Sequence, residues 1–177
     1  MKIVTTPMCE DVMNLAGVKE YEVNLHPDST DADIAVVLSE TNPAMKSVKV
    51  KLNTFKQIRD SVEMLMDIFD TENPEYNPEK IVFKGINKSE NRNINVKVYS
   101  NFLSDIVEDL GYNIVTGNQG YHYLVYPDYQ RNEIMDEIVS MDEMTIEISS
   151  HKNTPKDPIK RAELRYKLLE KKLCMKH

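Results

Sequence analysis

The run Thr5-Thr6-Pro7-Met8-Cys9-Glu10-Asp11 holds the most chemically suggestive residue of the sequence, Cys9. Lys2–Thr6 reads as a short strand that Pro7 breaks. A helix is expected from Cys9 to Ala16, with Val12, Leu15 and Ala16 at helical spacing and Gly17 as its C-cap. Cys9 then stands at the first turn of a helix, where free N–H groups and the positive dipole end stabilise a thiolate. The same N–H groups suit the oxygen of an attacked carbonyl. Thr5 and Thr6 add hydroxyls at the mouth of such a site. Glu10 and Asp11 suit a helix start but oppose a neighbouring thiolate. No His adjoins Cys9 to serve as base. A small buried hydrophobe is the competing reading, because free cysteines pack well in cores.

Two more polar groups fall where open α/β sheets hold ligands, at the ends of strands. Ser39, Glu40 and Thr41 follow the apolar run Ala32–Leu38, and Ser100 and Asn101 close the strand Ile94–Ser100. His122 lies beside Tyr121 and Tyr123 and reads either as a base or as an ordinary strand histidine. Tyr121, Tyr123, Tyr126 and Tyr129 are available to stack a base, though strand tyrosines usually pack. His26, His151 and His177 show no metal-ligand spacing, Cys9 and Cys174 are far apart, and no metal site is expected. Glycine-rich phosphate loops are missing from a chain with five glycines. A bound phosphate would have to meet a helix N-terminus, near Cys9 or Asn101.

The elements that position these residues follow from periodicity. Ala32–Leu38 suits a strand buried on both faces, as in a parallel sheet. Ser47–Leu52 alternates as a half-exposed strand, and Tyr21–Asn24 is a weak one. Thr54 with Gln57 forms a capping-box pattern before the stripe Phe55, Ile58, Val62, Leu65, Ile68 and Phe69. Thr71–Glu79 is a linker, Ile81–Lys84 a strand and Gly85–Asn93 a polar loop. Asn101 is the expected N-cap of a helix Phe102–Leu110 closed by Gly111. Asn113–Thr116 and Tyr123–Tyr126 read as strands joined by a hairpin-like connection. A helix over 132–140 and a strand over Met144–Ile148 follow. Asp157-Pro158 opens a last helix whose apolar residues form no single stripe. Lys2–Leu15 lies over Lys97–Leu110 without a gap, which suggests two related halves sharing one sheet.

The expected fold class is α/β, a mixed, largely parallel sheet flanked by helices. Residues 1–150 form the α/β domain. Residues 151–177 form a basic C-terminal helix of the same domain, packed on the body or on a second subunit. That segment carries nine Lys/Arg against three Asp/Glu, in a chain of net charge −7. An acidic body argues against a nucleic-acid partner, and no apolar run approaches the roughly 20 residues of a membrane span. Two cysteines without a framework suggest reduced thiols in the cytoplasm. A homodimer through the last helix is an open expectation.

The Thr5–Cys9 turn, the chain size and the composition together resemble the HcgF family of methanogens. These proteins act in biosynthesis of the iron–guanylylpyridinol cofactor of Fe-hydrogenase. The resemblance covers about the first 40 residues, and nothing after Leu38 adds to it. It implies that Cys9 accepts the adenylylated carboxylate of guanylylpyridinol as a thioester. It also implies guanylylpyridinol as ligand, no intrinsic cofactor, and an adenylylating enzyme as partner. A departing AMP needs little acid help, which lessens the need for a local base. Two other functions stay open. One is a non-catalytic assembly protein of a methanogen enzyme, docking through the basic helix. The other is a nucleotide pyrophosphatase with Glu40, Asp105, Glu108 and Asp109 around Mg²⁺.

Overall fold

A computed structural model describes residues 1–84, 88–117, 119–150 and 154–174, with only the backbone of Cys174. His151, His177 and Asn118 therefore lie outside the described residues. The backbone falls into two compact units, Met1–Val82 with Pro155–Lys160, and Phe83–Thr154 with Arg161–His177.

The first unit contains β1 (Ile3–Thr5), α1 (Glu10–Leu15), β2 (Glu22–Val23), β3 (Ile34–Leu38), β4 (Ser47–Val50) and α2 (Phe55–Phe69). The strands run parallel in the order β2-β1-β3-β4. β3 is central, and Ile34 to Val37 are all buried, which is why the sequence there is apolar without alternation. β4 is an edge strand with only Val50 buried, so it alternates. α2 starts at a complete capping box: the Thr54 side chain accepts from the Gln57 N–H, and the Gln57 side chain accepts from the Thr54 N–H. Its Phe55, Ile58, Val62 and Leu65 are buried, each such burial contributing about 1.5–3 kcal/mol.

The second unit contains α3 (Lys88–Asn91), β5 (Asn95–Val98), α4 (Asn101–Asp109), β6 (Asn113–Val115), β7 (Tyr123–Pro127), α5 (Met135–Met141) and β8 (Thr145–Ile148). It also takes the length of α6 (Pro158–Cys174) from Arg161 onward. Its strands run parallel in the order β6-β5-β7-β8. Strand for strand, this repeats the first unit.

The molecule is thus an α/β protein with parallel sheets, and several details differ from the sequence reading. The related halves have one four-stranded sheet each and do not share a single sheet. The gapless alignment is also out of register. The Thr6 N–H donates to the Val36 carbonyl, and the Tyr99 N–H to the Val125 carbonyl, so Thr6 corresponds to Tyr99. The expected hairpin does not form, because β6 and β7 lie parallel on opposite sides of β5. Residues 82–84 are irregular, not a strand, and the Arg59 guanidinium donates to the Ile81 carbonyl at 2.6 Å. The N-cap of α4 is Ser100, not Asn101, since the Ser100 hydroxyl accepts from the Leu103 N–H. In α6 a single stripe does exist: Ala162, Tyr166, Leu169 and Leu173 are buried, while Leu164 is exposed.

Candidate functional site

In the first unit the expected site residues gather at the carboxyl ends of β1 and β3, which are neighbours in the sheet. Thr5 ends β1 and is fully buried; its hydroxyl donates to the Val36 carbonyl at 3.0 Å. Thr6 is buried as well, and its hydroxyl donates to the Cys9 sulfur at 3.5 Å. Neither hydroxyl lines a mouth. Each is spent inside the turn, because a buried hydroxyl must find an acceptor. Ser39, Glu40 and Thr41 sit just past β3. The Ser39 N–H donates to the Val50 carbonyl, its hydroxyl to the Glu40 carboxylate at 2.8 Å, and the Thr41 N–H to the Leu38 carbonyl.

Cys9 is the N-cap of α1, and its backbone N–H donates to the Thr6 carbonyl at 2.9 Å. Its side chain makes no cap hydrogen bond, and its solvent exposure is 0%. α1 has six residues, with Glu10 and Asp11 half-buried in its first turn. The thiol therefore occupies a core position with a hydroxyl donor beside it, closed to solvent in this state.

Ser100, the N-cap of α4, and Asn101, its first residue, hold the corresponding place in the second unit, past the end of β5. Two arginines of α6, Arg161 and Arg165, are buried in this unit at 2% and 6% exposure. The Arg165 Nη2 donates to the carbonyls of Ser149 and Ser150, at 3.3 and 2.7 Å. Its guanidinium lies 4.7 Å from the Phe102 ring centroid. Burial, and then the charge of Arg161, pull its pKa down to about 10, against an opposing pull from Asp128.

A second polar cluster in this unit joins Lys97, Tyr99, Tyr121 and Glu137. The Lys97 ammonium meets the Glu137 carboxylate at 2.7 Å, and both tyrosine hydroxyls donate to the same carboxylate. The ammonium also lies 5.2 and 5.4 Å from the two ring centroids. Burial opposes ionisation of Glu137, yet hydrogen bonds from Lys97, Tyr121 and Tyr99 outweigh it and hold the carboxyl below its ordinary value. The Glu137 hydrogen bond raises the pKa of Lys97, and also that of Tyr99 with help from burial; burial and then Glu137 raise Tyr121. Every charge here is matched, as in a structural lock.

The other candidates do not join either cluster. The His122 Nδ1 accepts from the Asn95 N–H at 2.9 Å, and the His122 N–H donates to the Asn95 carbonyl. These bonds hold it at the amino edge of the sheet, away from the carboxyl ends. Tyr123 and Tyr126 are buried, and Tyr129 is exposed. Asp109 accepts from the Tyr166 hydroxyl at 2.6 Å and from Lys88 at 3.1 Å, so it already has partners.

No protein-family model matches the chain, and no curated protein matches it. Among solved structures, the chain is similar to a Zn(II)-bound single-residue variant of AdcAII from Streptococcus pneumoniae. The TM-score is 0.54 at 12% identity, over 96% of this chain and 99% of that one. The Zn(II)-bound ZnuA-like domain of AdcA from the same organism gives a TM-score of 0.48 at 12% identity, over 95% and 98%. The first of these likenesses supports the α/β fold and nothing finer. The zinc belongs to those proteins. Among the described residues here, no three His, Cys, Asp or Glu side chains are gathered as a metal ion needs.

Burial of Arg161 and Arg165 runs against what the sequence of a basic helix implies, since such a helix normally keeps its charges in water. A usable signal was present. Arg161 and Arg165 are one turn apart and share the face of Ala162, Tyr166 and Leu169.

Proposed function

We propose that the chain is a small-molecule-handling protein of cofactor assembly that takes an activated carboxylate, that of guanylylpyridinol, onto Cys9 as a thioester. One observation carries this reading. Cys9 stands past the carboxyl end of β1, at the N-cap of α1, with the Thr6 hydroxyl donating to its sulfur. In the reaction the sulfur attacks the acyl carbon, the bond from that carbon to the AMP oxygen breaks, and AMP leaves with the electron pair. The thiol proton goes to solvent.

Burial of the sulfur sets a condition. The turn from Thr6 to Cys9, held by the Cys9 N–H on the Thr6 carbonyl, has to open before an acyl group arrives. Cys9 is then slow toward small thiol reagents and reactive only with the ligand present.

The same burial favours a second reading, in which Cys9 is a core hydrophobe and the chain is a non-catalytic assembly protein. Intact-protein mass spectrometry separates the two. The folded chain is mixed with guanylylpyridinol acid, ATP and the adenylylating enzyme. The thioester reading expects an acyl adduct that is lost in Cys9→Ala and kept in Cys174→Ala. No adduct on the wild-type chain, or an equal adduct on Cys9→Ala, rejects it in favour of the second reading.

A further inference from the structure

We infer that the second unit carries a binding site for a phosphate group at the carboxyl edge of its sheet, between the N-terminus of α4 and Arg165. The inference does not depend on Cys9. Three strand ends converge there: Ser100 follows β5, Asp128 follows β7, and Ser149 with Ser150 follows β8. In parallel α/β sheets ligands bind at this edge. α4 is a nine-residue helix, and its first N–H groups, those of Asn101 and Phe102, have no acceptor within the helix. They and the dipole favour an anion.

Arg165 supplies an independent observation. It is 94% buried, counting from its 6% exposure, and its Nε has no hydrogen-bond partner. Among the described residues it also meets the two serine carbonyls, which are neutral acceptors, and the face of Phe102, a residue in the first turn of α4. Asp128, a carboxylate that acts on it, already accepts the Ser150 N–H and hydroxyl, at 3.1 and 2.7 Å. The charge of Arg161 adds repulsion. A buried guanidinium with an idle donor and a like charge nearby favours an additional anion. A tetrahedral oxyanion fits the donor set that remains, the idle Arg165 Nε–H and the first N–H groups of α4. Entry requires the half-buried Phe102 ring to turn aside; Asn101 is exposed and opens the way.

Phosphate comes to such a site free or on an organic carrier, and both are used as probes. Isothermal titration of the full chain with inorganic phosphate and with AMP is compared among wild type, Asn101→Asp and Arg165→Met. Asn101 is exposed, so Asn101→Asp keeps the fold while setting a negative charge at the first position of α4. Wild-type binding of either probe is expected, weakened about tenfold or more in each variant. Binding of AMP alone identifies a carried phosphate, and binding of both identifies the phosphate itself. No binding of either probe to the wild type, or binding unchanged in Asn101→Asp, overturns the site. The second criterion stands even where Arg165→Met fails to fold. Loss of the Cys9 adduct with phosphate binding intact would reject the thioester reading alone.

Discussion

The Gly17 N–H donates to the Asn14 carbonyl and the Gly111 N–H to the Glu108 carbonyl, and both glycines have positive φ, +76° and +89°. One residue on, the Val18 N–H reaches the Met13 carbonyl and the Tyr112 N–H the Val107 carbonyl. α1 and α4 thus each close with a Schellman turn and a buried apolar residue behind it. The two turns are stringent for different reasons. A Cβ on Gly17 would meet the Glu72 carbonyl oxygen at 2.6 Å, and one on Gly111 the Lys88 Cα at 2.9 Å.

Alanine at these positions is expected to separate strain from collision. Gly17→Ala and Gly111→Ala should each cost on the order of 1–3 kcal/mol, toward the upper end because backbone lies in the way. Gly117 also has positive φ, +65°, but nothing lies within 4 Å of its Cβ position, so Gly117→Ala should cost about 1 kcal/mol. Urea midpoints compared across the three variants check the order. Equal losses at all three would mean that the close contacts carry no cost.

The last carbonyls of those helices also take side-chain donors. The Asn91 amide donates to the Leu110 carbonyl at 2.7 Å and is buried, while the Asn73 amide donates to the Leu15 carbonyl at 3.0 Å at a half-buried site. Asn91→Ala should cost about 1–3 kcal/mol, because it strands a buried carbonyl. Asn73→Ala should cost less, since water can replace the lost donor. Thermal melts of both variants test the ranking.

The parts of the fold written in local pattern were legible in the sequence. β3 followed from an unbroken apolar run, and α2 from the Thr54–Gln57 box and its stripe. Asp157 was legible too, and its carboxylate accepts from the Ile159 and Lys160 N–H groups. Sheet membership was not, because nothing in Asn113–Val115 or Tyr123–Pro127 says that both pair with β5 and not with each other. The candidate site was legible as a position and not as an environment. Spacing placed Cys9 at a helix start, but its burial is not written in the local pattern, and the inward turn of the Thr5 hydroxyl depends on Val36 of β3, some thirty residues away in sequence.

Removing the Thr54 hydroxyl tests one of the legible features. Thr54→Ala should cost about 1 kcal/mol, whereas Thr54→Ser, which keeps the acceptor for the Gln57 N–H, should cost less. Urea denaturation of the two variants gives the comparison, and an equal loss in both would assign the effect to the buried methyl group.

The Lys97–Glu137 cluster predicts opposite behaviour at the two ends of the pH scale. Glu137 titrates lower in the folded chain than its ordinary 4.5. Its contribution is therefore complete above 4.5 and is lost as pH falls through the depressed folded value. Tyr99 and Tyr121 titrate above their ordinary 10.0, and Lys97 above 10.5. Their contribution is complete below those ordinary values and is lost as pH rises through the folded ones. Glu137→Gln should therefore be less stable than wild type at neutral pH and should close the gap as acid is added below 4.5. In strong alkali, deprotonation of the tyrosines and the lysine removes their bonds to Glu137, and the gap should narrow again. Melting temperatures of wild type and Glu137→Gln across that range test this, and a constant difference between them would show that the carboxylate contributes nothing through its charge.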